Sequence, residues 1–569
     1  MQPGSPMRAS HGPLRLRSDR ERPGRLRRAA PPARASLAPA VHALVALALA
    51  AAACGPSSSG RSDRASAASG SAADSGATTA SLPGPRLAVL PLANLTGDPA
   101  RTYFVEGTLD RLISEAGEAG LTVVARSSVL RYANRAATLD SIARALGADA
   151  LLDGGVAREG DGVTIRVRLV DAASGDTTWS RTFAGGAGDL DALHRELIAA
   201  VARELGVELE PGAAARAAGA WATDPAAYDA YLRGVFHARL FTLADLETAL
   251  GDFRRALAID STYAPAWLET ARVWLYRGDA GPRSGVTAAE ARRRWEPALE
   301  RALELGPELP GAHRLLAEVR AGKDRDFAAA DSAFGRAVEL NPSHAETRIH
   351  YARLLAVLGR PGEADRHAAV AVRLDPVNPF TRGLYGKLLF LTGRYDEAIG
   401  VLEPILARYP GARFARPPLA GAYEMEGRRE DAFRVRLAGA RERDDAELAA
   451  ALERGRREGG YAGALRRAAG VLAVRVRSGE GPPGSRPRRL GIARLYAAAG
   501  DSEKALDWLE EAVAAEEPDL ACIGILPTFA PLRDTPRFRE LVGRAGMPLA
   551  GPPQRSAVSE PGSRGEKGM

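Results

Sequence analysis

Residues 342–376 read PSHAETRIHYARLLAVLGRPGEADRHAAVAVRLDP, and this stretch sets the architecture of most of the chain. Pro342 recurs as Pro376 and Pro410, Gly359 as Gly393 and Gly427, Ala364 as Ala398 and Ala432, and Ala352 as Gly386 and Ala420, each at a spacing of 34 residues. Columns that share one period mark a repeated supersecondary unit. The pattern also has a physical reading. Small residues let the two helices of a unit approach closely. A glycine ends the first helix, and a proline follows the second, which it cannot continue.

Weaker copies extend the array on both sides. Leu232–Gly234 with Ala249, Phe253 and Ala256 make one unit, and Trp267, Ala271 and Trp274 with Ala302 and Pro307 make another around an insertion. Ala317, Ala330, Phe334 and Ala337 lead into Pro342. Beyond a degenerate stretch at 442–489, interrupted by a loop at 479–487, Ala493, Tyr496, Gly500, Ala505, Leu509 and Ala512 form a late unit. This gives about seven units over residues 225–549, above the roughly three that such arrays need for stability. The array resembles the tetratricopeptide repeat, which implies an all-α superhelix with a groove for a protein or peptide segment. The repeat register places Glu346, Ile349, Arg353, Phe380, Lys387, Phe390, Phe414, Glu424 and Met425 on that groove. Aromatics, a methionine and mixed charges suit a polypeptide partner. For Phe380 and Phe390, packing between neighbouring repeats weighs equally. The lysine–asparagine pattern of the clamp that binds chaperone carboxyl termini is missing, so that ligand is not expected.

Upstream, residues 86–209 alternate element types. Leu87–Leu92 reads as a strand, Tyr103–Glu118 as a helix, Leu121–Ala125 as a strand, Ala137–Leu146 as a helix and Ala150–Gly155 as a strand. Val163, Ile165, Val167 and Leu169 then alternate with Thr164, Arg166 and Arg168, the period of a half-buried strand. A turn at Ala172–Asp176 returns the chain as Thr177–Phe183, and Leu190–Leu205 closes with a helix. The order β-α-β-α-β-β-β-α predicts an α/β domain, a mixed sheet with helices packed on it. Ala88–Asp98 (AVLPLANLTGD), Phe104–Gly107 (FVEG), Val124–Ser128 (VARSS), Ile142–Gly147 (IARALG), Leu151–Val156 (LLDGGV) and Asp171–Trp179 (DAASGDTTW) follow one another in that order. Together they resemble the TolB-like amino-terminal domain, related to the FlgO type, over the whole segment. The resemblance implies an accessory domain without established catalysis. Asn94, Asp98 and Glu106 read as turn and cap chemistry. Arg126-Ser127-Ser128 reads as an anion site or a serine helix cap. Gly185–Gly188 reads as a connection, since no lysine follows to make a phosphate loop.

The amino-terminal end differs in character. Net charge is +7, and nine arginines from Arg8 to Arg34 against Asp19 and Glu21 account for all of it. The rest of the chain is balanced, so no nucleic-acid partner is expected, because that needs a clustered basic face. Ala40–Ala53 (AVHALVALALAAAA) is uncharged and apolar but shorter than the roughly 20 residues of a spanning helix. Residues 1–53 therefore read as a basic export segment. Cys54 follows Ala51-Ala52-Ala53 and precedes a serine-, alanine- and glycine-rich stretch, 54–85, that reads as a disordered tether. This resembles a bacterial lipoprotein signal, although Ala51 stands where leucine is usual. The resemblance implies a lipid on Cys54 and a place in the cell envelope facing the periplasm. An uncleaved inner-membrane signal-anchor is the alternative. Residues 210–224 read as a linker and 550–569 as a disordered tail.

Two cysteines, Cys54 and Cys522, exclude a disulfide framework and any metal site built on several cysteines. Cys522, among Leu520, Ile523 and Ile525, reads as a buried, inert thiol. His194, His237, His313, His344, His350 and His367 match no metal-ligand motif and read as surface polar positions; a transition-metal pair among His344, His350 and His367 is a weak option. No GxSxG elbow, kinase set or dinucleotide glycine pattern occurs. No catalytic residue, metal or cofactor is therefore expected. The reading is a non-enzymatic, envelope-tethered scaffold whose repeats bind a protein or peptide. The alternative is a regulatory module, resembling the non-catalytic half of TolB-like and tetratricopeptide regulators, kinases or cyclases.

Overall fold

A computed structural model describes residues 84–134, 137–209, 224–280, 284–479 and 488–547. The export segment, Cys54, nearly all of the tether and linker, and the tail lie outside the described residues. No helix of the described residues is long and apolar enough to cross a membrane.

The sheet grows from β1 (Arg86–Val89), which runs parallel to β3 (Thr122–Val123) on one side and to β4 (Ala150–Glu159) on the other. The antiparallel strands β5 (Gly162–Asp171) and β6 (Thr177–Gly186) complete the order β3-β1-β4-β5-β6. A short β2 (Ala93–Asn94) pairs with the far half of β4. Strand periodicity sorts the two faces. Leu87 and Val89 enter a core with α1 (Thr102–Glu118) and α4 (Leu190–Glu204); Ala88 and Leu90 enter another with α2 (Arg126–Val129) and α3 (Leu139–Leu146). Two expected strands come out shorter. Leu87–Leu92 is split at Pro91, which has no N–H to give a ladder. Leu121–Ala125 shrinks to β3, because the Ala125 N–H donates to the Leu374 carbonyl of the array at 2.7 Å.

From Pro225 onward helices follow in packed pairs. These are α5 (Pro225–Ala238) with α6 (Leu243–Ile259), α7 (Ala264–Ala280) with α8 (Ala288–Leu305), and α9 (Pro310–Val319) with α10 (Phe327–Leu340). Next come α11 (Ala345–Val357) with α12 (Pro361–Leu374), α13 (Pro379–Leu391) with α14 (Tyr395–Arg408), and α15 (Arg416–Met425) with α16 (Arg429–Arg441). The degenerate stretch is itself a pair: α17 (Ala446–Ser478) breaks at Gly459 and Gly460, and the backbones at Gly455 and Gly463 come into contact as its halves fold back. Helices α18 (Arg489–Ala498) and α19 (Ser502–Ala514) form a further pair before α20 (Pro536–Arg544). The result is a helical repeat array resembling a tetratricopeptide superhelix. Its sequence columns have the roles their chemistry suggests. Gly359, Gly393 and Gly427 follow first helices at φ of 73°, 85° and 71°, in the left-handed region. Ala364, Ala398 and Ala432 are fully buried between helices.

The α/β domain and the first helix pair share one apolar core, in which Phe104, Leu109 and Leu112 join Tyr228, Tyr231, Leu232 and Phe253. Helices α1 and α5 lie so close at Gly107 that a Cβ there would sit 2.5 Å from the Leu232 side chain. Buried ions line the same seam. Arg111 donates to Glu115 at 2.5 Å and pairs with Asp191, and His194 lies 3.3 Å from Glu115. His194 is fully buried, which corrects its reading as a surface residue; the burial lowers its pKa.

Candidate functional site

The α/β domain reaches the array a second time, through turns that join successive pairs. Asp375, in the turn after α12, accepts from the hydroxyls of Ser127 and Ser128, both at 2.7 Å. Its other oxygen accepts from Asn378 Nδ2 at 2.7 Å and Thr381 Oγ1 at 2.5 Å. Asp375 is 3% exposed, so these donors are its substitute for water. Around it, Val377 N–H donates to Ser128 Oγ at 3.3 Å, and Arg131 donates to the Val377 carbonyl at 2.8 Å. One turn earlier, Ser343 Oγ donates to the Leu121 carbonyl at 2.7 Å, and Asn341 Nδ2 donates to the Ser114 carbonyl at 3.3 Å. The Arg126-Ser127-Ser128 reading is thereby corrected. The serines fasten the domain to the array, α2 has no side-chain cap, and Arg126 is paired with Asp110 and Glu106.

Between these two attachments lies a cavity of about 350 Å³. Helices α1 and α5 supply one wall, with Asp110, Ser114, Glu118 and Arg239; the first helices α7, α9, α11 and α13 supply the other, with Arg272, Arg314, Glu346 and Phe380. Charges inside are mostly paired. Arg239 pairs with Asp110, Arg272 with Glu269 at 3.0 Å, and Arg314 with Glu318 at 2.6 Å. Glu118 is the exception among the carboxyls: burial pushes it up to about 8 against a weaker pull from the Ser114 hydroxyl at 2.8 Å.

The expected groove residues divide. Glu346, Ile349 and Phe380 line the cavity, so the α/β domain covers them. Ile349 is only 2% exposed. Arg353 and Lys387 are half-buried. Phe390 is corrected to a packing residue: it is 1% exposed and fills the space a Cβ on Gly421 would need. Glu424 is also not free for a partner, because it accepts from Tyr461 at 2.5 Å and from Arg436 at 2.6 Å. Phe414 and Met425 remain exposed, and Phe414 meets the Phe380 ring edge-on at 5.4 Å. Asn94 and Asp98 have turn and cap roles, and Glu106 pairs with Arg126. Asn94 donates to the Asp98 carbonyl at 2.7 Å, and Asp98 caps Ala100 at 2.9 Å.

Among the array histidines, His350 is buried, which corrects its reading as a surface residue, and His344 and His367 are half-buried. His344 caps α11 through Thr347, and burial lowers it to about 3. His367 lies against the Tyr351 ring at 4.7 Å and is lowered by burial to about 4. His350 is 5% exposed, is lowered to about 4 by burial, and has no hydrogen-bond partner on either ring nitrogen. Cys522 is buried in the carboxyl-terminal core. Asp375, Asn341 and Ser343 were not legible as site residues. In sequence each is ordinary turn chemistry beside a repeat proline, and only the fold supplies its distant partner.

No protein-family model matches the chain. Among curated proteins, it is similar to the putative adenylate cyclase 3 of Rhizobium meliloti (strain 1021), at 30% identity over 183 residues. The match covers 32% of this chain and 31% of that protein, so the chain spans about a third of its relative's length. Among solved structures, TTC0263, a thermophilic TPR protein of Thermus thermophilus, is 23% identical over 35% of this chain and 98% of its own, with a TM-score of 0.28. YrrB, a TPR protein with an unusual peptide-binding site, is 20% identical over 36% of this chain and 97% of its own, with a TM-score of 0.27. Yeast Tom70 is 14% identical over 56% and 67%, with a TM-score of 0.33. At these scores the likeness adds nothing to what the helix pairs themselves show.

Proposed function

We propose that the protein is a non-enzymatic scaffold whose repeat array holds an extended segment of a partner protein, along the stretch that carries Phe414 and Met425. One observation supports this most directly. These two large apolar side chains stay 38% and 37% exposed, Phe414 just before α15 and Met425 at its end, while Glu346, Ile349 and Phe380 line the cavity, Phe390 is packed and Glu424 is paired. Apolar anchors of this kind carry most of the energy in polypeptide recognition. In this reading the TolB-like α/β domain closes one part of the groove and directs the partner to the other. A lipid on Cys54 and the tether hold the whole in the cell envelope.

The test is selection of short random peptides on the full-length protein. Phe414→Asp and Met425→Asp should each lose the selected peptides while keeping the fold. Peptides that bind both variants as well as the native chain would contradict the reading. Palmitate labelling tests the anchor: Cys54→Ser should abolish incorporation, and an unlabelled native protein would remove the lipid from the account.

A regulatory module is the second reading. The 30% identity to part of a putative adenylate cyclase supports it, because the matched stretch is shared with a protein named for a signalling reaction. Protease protection in intact cells separates the two readings, since a cytoplasmic face fits regulation and a periplasmic face fits the scaffold.

A further inference from the structure

Beside the cavity, on the array wall, Glu346 and His350 stand one turn apart on α11, and Glu318 comes from the last turn of α9. A carboxylate oxygen of each glutamate and a ring nitrogen of His350 all lie within 4.8 Å of one another. The histidine is the informative member. It is 95% buried, yet neither of its nitrogens has a hydrogen-bond partner. Buried polar groups are nearly always satisfied, and an orphan pointing at two carboxylates calls for a ligand. We propose that Glu318, Glu346 and His350 form a binding site for a divalent transition metal of the zinc class.

Two carboxylates and one imidazole suit this class. The imidazole disfavours magnesium and calcium, which take oxygen ligands. Three protein ligands leave a coordination position open, as in zinc sites that accept a further ligand. The site now has a cationic occupant. Arg314 donates to Glu318 at 2.6 Å and reaches Glu346 at 3.5 Å. Metal entry therefore displaces the guanidinium, and Arg314 also lines the cavity, which gives it room to withdraw. Two signatures of opposite sign follow. Removing a ligand weakens binding, whereas removing the competing arginine strengthens it. This site is independent of the peptide reading, because none of its residues belongs to the exposed stretch.

The experiment titrates chelator-treated, full-length protein with zinc chloride alone and, separately, with magnesium chloride. One equivalent of zinc should bind in preference to magnesium. His350→Gln should weaken zinc binding by at least the roughly 10- to 100-fold that follows loss of an outer-shell partner, because it removes a ligand itself. Arg314→Leu should tighten it. Circular dichroism confirms that each variant is folded. Cobalt provides a second readout that does not depend on affinity: its visible absorption band should appear with the native protein and vanish with His350→Gln. No stoichiometric zinc, equal zinc binding by His350→Gln, or weaker binding by a folded Arg314→Leu overturns the proposal.

Discussion

Two stretches of the first-helix surface differ in what lies across them. Over Glu346, Ile349 and Phe380 stands α1 of the α/β domain, and the surface becomes one wall of a cavity. One repeat beyond Phe380, Phe414 and Met425 are left open. The helices are alike in both places, and the difference lies in the turns between pairs. Asn341 and Ser343, then Asp375 and Val377, present polar groups that the α/β domain satisfies. The following turn presents Tyr409, Pro410 and Gly411, where the domain places Arg131 over the Tyr409 ring at 5.5 Å. A repeat array can thus serve as a wall in one place and as a display surface in another without changing its helices.

Substitutions at four positions test that contrast, beginning with the residue that is neither covered nor open. Phe390→Ala should cost about 3–5 kcal/mol in denaturant unfolding, as for a fully buried aromatic. Phe414→Ala should cost less, because that ring is 38% exposed although it packs over Gly383 and against Phe380. Equal costs for the two would erase the distinction between core and display surface.

Next comes Asp375→Ala, which strips the acceptor from two serines of the α/β domain and from Asn378 and Thr381. Buried donors left without a partner should cost about 3 kcal/mol together. Asp375→Asn, which keeps one acceptor oxygen, should recover part of that. If Asp375→Ala melts like the native chain, the turn does not seat the domain.

A further test is a pH dependence inside the cavity. The carboxyl of Glu118 is raised by burial from 4.5 to about 8, so the folded chain holds a proton that the unfolded chain releases. Its contribution to stability is complete below pH 4.5 and is lost as pH rises through about 8. Glu118→Gln should therefore match the native melting temperature near pH 4.5 and exceed it above pH 8. A constant difference across that range would mean that Glu118 ionises normally in the fold.

Much of this fold was legible from residue patterns. Pro342, Pro376 and Pro410 with their companion columns specify helix pairs, and alternation from Val163 to Leu169 specifies a strand, because both patterns are local. Phe380, Phe390 and Phe414 show where legibility stops. All three satisfy the groove register, but their fates depend on neighbours elsewhere: Phe390 is buried over Gly421, Phe380 faces a cavity closed by α1, and Phe414 packs over Gly383 yet stays 38% exposed. The attachment itself was illegible for the same reason. Ser127 and Asp375 are 248 residues apart and each looks like turn chemistry. Burial of His194 and His350 likewise follows from packing between elements, which a single helix pattern does not encode.

The seating of the α/β domain on the array is the central claim, and hydrogen exchange reads it most directly. The N–H groups of Ala125 and Val377 are bonded across the two parts, to Leu374 and Ser128, and not within any helix or strand. In the intact protein they should exchange as slowly as amides of β4 and α11, and Asp375→Ala should speed them selectively. If both exchange at the rate of exposed loops while β4 and α11 stay protected, the domain does not cover the groove, and the contrast between its two stretches falls.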